Sequence, residues 1–267
     1  PRPGHADLAG VHKYEFNDIR NVLERSSARE TTMRVALGSV CRKLLEDIGI
    51  FIGSRVVQIH DVKDEQKYNL SPTVMNNNAD DSPVRCLDKN SEKEMVSVID
   101  KAKKAGDSVG GIFEVIATGV PYGLGSYSQW NNKLQARIST MMMSINAFKG
   151  IEIGTGFKSA TKFGSQVHDE IGYENGKFTR YTNNAGGIEG GMSNAQPIVI
   201  WMSMKPISTL IKPLRSVDIA THEKKNAHKE RTDSCAVPAA SVVSESMLCI
   251  TLLDALLEKF GGDTMNQ

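Results

Sequence analysis

No single sign of charge dominates this 267-residue chain: 32 Lys and Arg stand against 31 Asp and Glu, a net charge of +1. That balance excludes the wide basic field that nucleic-acid or anionic-membrane binding needs, so local charge must hold any anionic ligand. The four cysteines, Cys41, Cys86, Cys235 and Cys249, form no CxxC pair and no metal-ligand spacing, and nothing resembling a secretory segment precedes them. Reduced thiols in a cytoplasm fit this pattern. Also missing are an apolar run of bilayer-spanning length, a repeat of solenoid period, and a GxGxxG nicotinamide fingerprint behind a strand. With 40% hydrophobic residues, the chain reads as a soluble globular protein with core enough for one large domain or two modest ones.

What is present centres on the loop from Thr182 to Ala195, where Gly186, Gly187, Gly190 and Gly191 fall within six positions. Such a cluster opposes a packed helix or strand, because glycine gives up the most backbone entropy on ordering and has no side chain to bury. Pro197 and the apolar run Ile198 to Met204 follow, a pattern for a buried strand, and Lys205-Pro206-Ile207-Ser208-Thr209 breaks it. Main-chain N–H groups freed by glycine, together with a lysine and two hydroxyls, suit a phosphate-bearing ligand. A tight structural loop leading into a strand is the alternative reading of the same residues.

The chain opens on Pro1-Arg2-Pro3-Gly4-His5-Ala6-Asp7 without an initiator methionine, which reads as a processed, truncated or incompletely traced protein. His5 lies in a loop where an imidazole can exchange protons near neutral pH. Ser27, with Glu30 three residues on, is a capping-box signature for a helix whose stripe runs Met33, Leu37, Val40, Leu44, Ile48. That helix start would offer unpaired N–H groups and a positive dipole end beside Arg25 and Arg29.

Further on, the pattern predicts strands over 51–59, 111–118 and 151–153, and a short helix over 91–105. Residues 61–90 read as a polar surface excursion. Leu134, Ile138, Met141, Met142 and Ile145 make one helical stripe, with the methionines as core filler. His222 to Arg231 is a charged, solvated stretch, and Arg231 and Asp233 could form a plain surface ion pair. A last helix carries Val243, Met247, Ile250, Leu253, Leu257 and Phe260 and stops at Gly261-Gly262.

The segments RPGHAD, RSSARETTMRVA, GVPYGLGS, MSINAFKGIEIGTGF, NNAGGIEGGMSN, KPISTL and RTDSCAVPAASVVSESM, in that order, resemble the chorismate synthase family over essentially the whole chain. The resemblance implies an α+β fold with long helices sandwiched between antiparallel β-sheets, in a single domain over residues 1–267 that lacks the family's N-terminal segment, and a homotetramer. It also implies a carbon–oxygen lyase of the shikimate pathway to aromatic amino acids. That enzyme converts 5-enolpyruvylshikimate 3-phosphate to chorismate and phosphate with reduced FMN. Reducing equivalents, from NADPH in the family, would come from an external flavin reductase, and neither nucleic acid nor membrane is a partner.

By the same resemblance His5 matches a histidine near the reduced flavin, thought to protonate it, and Asp233 a residue acting with flavin N5 on the C6 proton. Arg25, Ser26, Ser27, Asn146, Ala147, Gly190, Lys205, Pro206, Ile207, Ser208, Thr209 and Arg231 match flavin-binding positions. Arg2 and Arg29 match positions that hold the substrate's anionic groups, and no metal is implied.

Departures are few. The family's Gly-Glu-Ser-His-Gly motif and some substrate arginines are not in this sequence. Thr232 and Ser234 replace the usual histidine or serine and proline, while Asn131 and Gln135 stand where many relatives carry aspartate. Two readings follow, an active chorismate synthase or a catalytically inactive truncated core that keeps the fold, the oligomer interface and some flavin binding. A generic phosphate-binding domain would require the ordered motifs to be accidental.

Overall fold

The computed structural model describes residues 1–261; the predicted stop at Gly262 lies outside them. Two short helices, α1 (Asp7–Tyr14) and α2 (Arg20–Ser26), lead into a 3-10 turn at Ala28–Glu30 and the long helix α3 (Thr31–Asp47). Ser27 caps that turn by accepting from the Arg29 N–H. Glu30 does not complete a capping box; its carboxylate pairs at 2.9 Å with Arg34 one turn on. Next come strand β1 (Phe51–Ile59), the short β2 (Val62–Lys63), helices α4 (Pro72–Asp80) and α5 (Lys89–Ala105), and strand β3 (Gly111–Thr118). Helix α6 (Leu134–Met143) and strand β4 (Phe148–Ile153) follow. The hairpin β5 (Ile171–Glu174) with β6 (Lys177–Arg180) precedes the glycine loop, and β7 (Ile188–Glu189) with β8 (Met192–Ser193) forms a short hairpin inside it that turns at Gly190 and Gly191. Strand β9 (Ile198–Met204), the hairpin β10 (Arg215–Val217) with β11 (Lys224–Asn226), and helix α7 (Val237–Phe260) complete the chain.

The main sheet has five strands in the order β2-β1-β3-β9-β4, and every neighbouring pair is antiparallel. Register pairs Val56 with Phe113 and Phe113 with Met202, and Ser54 with Val115 and Val115 with Ile200. Cross-strand partners share a face, so these residues form one apolar surface, buried beneath α7. Helix α3 packs on α7, and α6 packs on β4 and α7. The α+β class thus stands, with three two-stranded sheets beside the five-stranded one among the described residues.

Three expectations are corrected by tertiary packing. Residues 61–90 are no surface excursion: Met75, Ala79, Val84 and Cys86 are buried, and α4 lies on β1. A polar composition hid this, because Asn76 is spent on the Ser54 N–H and Arg85 on the Ser54 carbonyl rather than on water. The Met33, Leu37 and Val40 stripe of α3 is exposed, and the buried positions are Gly38 and Leu45. Finally, α7 is long and apolar enough to cross a membrane by length and composition, but two-thirds of that stretch is buried inside the fold. Ser241, Ser244 and Thr251 interrupt its apolar run in sequence, yet they satisfy their hydroxyls on carbonyls three or four residues back.

Candidate functional site

A cavity of about 680 Å³ opens where the N-terminal loop, the turn before α3, the end of α6, the segment after β9 and the approach to α7 meet. Of the residues singled out in the sequence, Arg2, His5, Ser26, Ser27, Arg29, Asn146, Ala147, Lys205, Ile207, Ser208, Thr209, Arg231 and Asp233 line it. Side chains more than a hundred residues apart are joined there. Asn146 donates to the Ser26 carbonyl at 3.1 Å, and the Lys205 ammonium donates to the Gly4 carbonyl at 3.0 Å. Ala147, held at φ 69°, presents its carbonyl to the Lys205 N–H at 3.0 Å.

Electrostatics favour an anion. Ser27, Ala28 and Arg29 at the 3-10 turn that runs into α3, and Ala236 just before α7, place two helix starts on the cavity wall. Lys205, Arg29 and Arg231 add cations, against the carboxylates of Glu24 and Asp233 on the same wall and Glu230, which is engaged by Arg2. Burial and the nearby Lys149 push the Lys205 ammonium below its ordinary range. Leu23, Ala28, Met204, Ile207 and Ala236 supply apolar wall.

Beneath one end lies a compact polar knot. Arg2 is 5% exposed and its guanidinium is fully engaged: Nε and Nη2 donate to the Asp7 carboxylate, and Nη1 to Thr209 at 2.9 Å and Glu230 at 3.2 Å. His5 Nδ1 stands 2.5 Å from Asp7 Oδ1. Burial works to raise the Asp7 carboxyl, but the hydrogen bonds from Arg2 and the nearby imidazole outweigh it and hold it at about 2. Burial and then Arg2 push the His5 imidazole down, and Asp7 opposes them. Sequence reading missed Asp7 and Glu230 as members of the site. Asp7 lay within the quoted RPGHAD segment, and only folding brings Glu230 to Arg2.

Arg25, Pro206 and Gly190 do not line the cavity. Arg25 and Pro206 are exposed beside it. Gly190 is remote: Gly191 accepts from the Leu134 N–H at the start of α6, whereas Asn146 follows that helix's end. The seven residues of β9, at about 3.3 Å each, separate the glycine loop from Lys205 by roughly 20 Å. Elsewhere the loop's glycines serve packing, as at Gly187, where a Cβ would meet the Pro197 carbonyl oxygen at 2.6 Å. Arg231 and Asp233 form no ion pair with each other among the described residues, which leaves both free to face the cavity.

The fold and the cavity thus define an α+β protein in which an imidazole, a carboxylate and several cations share one cavity wall. The family model for chorismate synthase matches residues 1–257. A chorismate synthase of Bacillus cereus is 56% identical over 266 residues, covering 99% of this chain and 68% of that protein. One from Aquifex aeolicus is 54% identical over 276 residues, covering all of this chain and 69% of the relative. A crystal structure of chorismate synthase superposes with a TM-score of 0.83 at 46% identity, over 97% of this chain and 72% of that one. The chain belongs to the chorismate synthase family, lyases of the shikimate pathway.

Proposed function

We propose that this chain converts 5-enolpyruvylshikimate 3-phosphate to chorismate and phosphate with reduced FMN seated in the cavity. The observation that carries this reading is the convergence of two helix N-termini, Lys205, Arg29 and Arg231 on one cavity that also holds His5 and Asp233. The residues fit a flavin phosphate and ring: Ser27, Ser208 and Thr209 offer hydroxyls, Lys205 and Arg231 offer charge, and Leu23, Met204 and Ile207 offer a flat apolar wall. When bound, reduced FMN would supply transient electron density for phosphate loss without net redox change. Arg29 would hold the substrate's anionic groups, and Arg2 would act from inside its network with Asp7 and Glu230 rather than as a free cation. The Asp233 carboxylate would accept the C6 proton, and His5 would hold a proton at the other side of the cavity.

Gly190 would reach a flavin only from a neighbouring copy, given its distance from the cavity, which accords with a homotetramer. Ser26, Asn146 and Ala147 would shape the flavin site, with Arg25 and Pro206 bordering it. Reducing equivalents would come from an external, NADPH-dependent flavin reductase in the cytoplasm. Residues 1–267 form a single domain in this reading.

Anaerobic turnover with chemically reduced FMN tests it. Chorismate should form, and Asp233→Asn should slow it by about a hundredfold or more. Equal rates in the two proteins, or FMN binding with no chorismate from the unaltered chain, would overturn the assignment.

A further inference from the structure

The acid at His5 has a fixed geometry behind it. Asp7, the first residue of α1, is completely buried, and its carboxylate takes the Arg2 N–H at 2.9 Å and the Arg2 Nε–H at 3.0 Å on one oxygen. The other oxygen faces Arg2 Nη2 at 3.1 Å and His5 Nδ1 at 2.5 Å. A carboxylate so paired is an acceptor only, so the hydrogen between it and His5 must sit on Nδ1. Nε2 is left as the atom that gains and loses a proton. His5 itself lines both the main cavity and a second groove bounded by Arg215, Lys224 and Lys225.

We propose that Asp7 is a positioning residue for the reaction: it fixes the His5 tautomer with Nε2 as the proton-exchanging atom and holds the imidazolium against the surrounding cations. The inference rests on the reading of His5 as an acid. The balance of charge around the ring makes the need concrete. Arg2 Nη2 lies 3.2 Å from Nδ1 and 3.3 Å from Nε2, and Lys205 is close through its bond to Gly4, both disfavouring a second positive charge. Arg215, Lys224 and Lys225 line the same groove as His5, with Lys225 paired to Asp218 at 2.9 Å. Glu230 is turned to Arg2, so Asp7 is the carboxylate in contact with His5. The Asp7–His5–Nε2 line is a histidine–carboxylate pair of the kind that orients an imidazole and stabilises its charged form.

The test is histidine ¹⁵N NMR on the intact chain, alongside the pH dependence of kcat. Neutral His5 should carry its hydrogen on Nδ1. Asp7→Asn keeps the shape and removes the charge, and it should lower the His5 midpoint by about one unit or more. The alkaline limb of kcat should move by the same amount, while substrate KM changes by less than about threefold. A neutral His5 protonated on Nε2 in the unaltered chain would overturn the proposal even if the variant failed to fold. So would an unchanged His5 midpoint in folded Asp7→Asn. Full turnover by His5→Ala would remove His5 from the reaction and the proposal with it, whereas chorismate formation lost already in the unaltered chain is the separate failure of the assignment.

Discussion

Gly38 of α3 lies against Ser246 of α7 so closely that a Cβ at position 38 would stand 2.4 Å from the Ser246 Cβ and 2.7 Å from its Cα. The turn leading into α3 and the start of α7 both lie on the cavity wall, so this crossing sets their spacing.

Gly38→Ala should therefore destabilise the fold. Overpacking of about 1–3 kcal/mol outweighs a helix-propensity gain of about 1 kcal/mol. Urea unfolding would show a lower midpoint and FMN titration a weaker affinity. A variant as stable as the unaltered chain would mean that the two helices separate freely.

Glu245, buried on α7, accepts from Arg42, Ser54, Asn76 and Arg85, and so joins α3, β1 and α4 to the core helix. Glu245→Ala takes the buried carboxylate from Arg42 and Arg85 at once and leaves Arg85 only the exposed Asp80 as an ionic partner. The expected cost is about 3–5 kcal/mol, read from denaturant unfolding. A loss under about 1 kcal/mol would show that water takes over these donors.

Acid should weaken the fold through Asp7. Its carboxyl is held at about 2 in the folded chain, against an ordinary value near 3.8. A depressed folded value stabilises above the unfolded one, and that stability, about 2 kcal/mol, is lost as pH falls from about 4 through about 2. Asp7→Asn should flatten the stability curve in that window. An unchanged acid limb would assign the loss to other carboxyls.

Arg29 extends from the turn before α3 on the cavity wall, with its side chain exposed. Arg29→Ala should raise the substrate KM by about tenfold or more with a smaller change in kcat, as expected for a charged hydrogen bond worth about 1.5–3 kcal/mol. Steady-state kinetics decide this, and an unchanged KM would place the substrate's anionic groups elsewhere.

Much of the chain was legible before folding. Strands β1, β3 and β9 begin and end where the apolar patterns do, because a buried strand exposes its limits through polar and glycine neighbours. The α6 stripe points inward as its periodicity predicts, with Leu134, Ile138, Met142 and Ile145 buried. Most of the residues that line the cavity were named through the resemblance of short segments to the family, while side-chain chemistry by itself pointed only to the turn before α3, the glycine loop and Lys205, Ser208 and Thr209.

By itself the sequence determined local structure, charge balance and the motifs that mark the family. Tertiary structure alone decided which face of α3 meets the core, that 61–90 packs on β1, and that Gly190 stands a strand's length from the cavity. It also decided that Asp7 holds His5 and Arg2 together. The reason is common to all four: periodicity and composition report which residues lie on one face or in one loop, whereas the partner across space is set by how the layers stack, which no local pattern encodes.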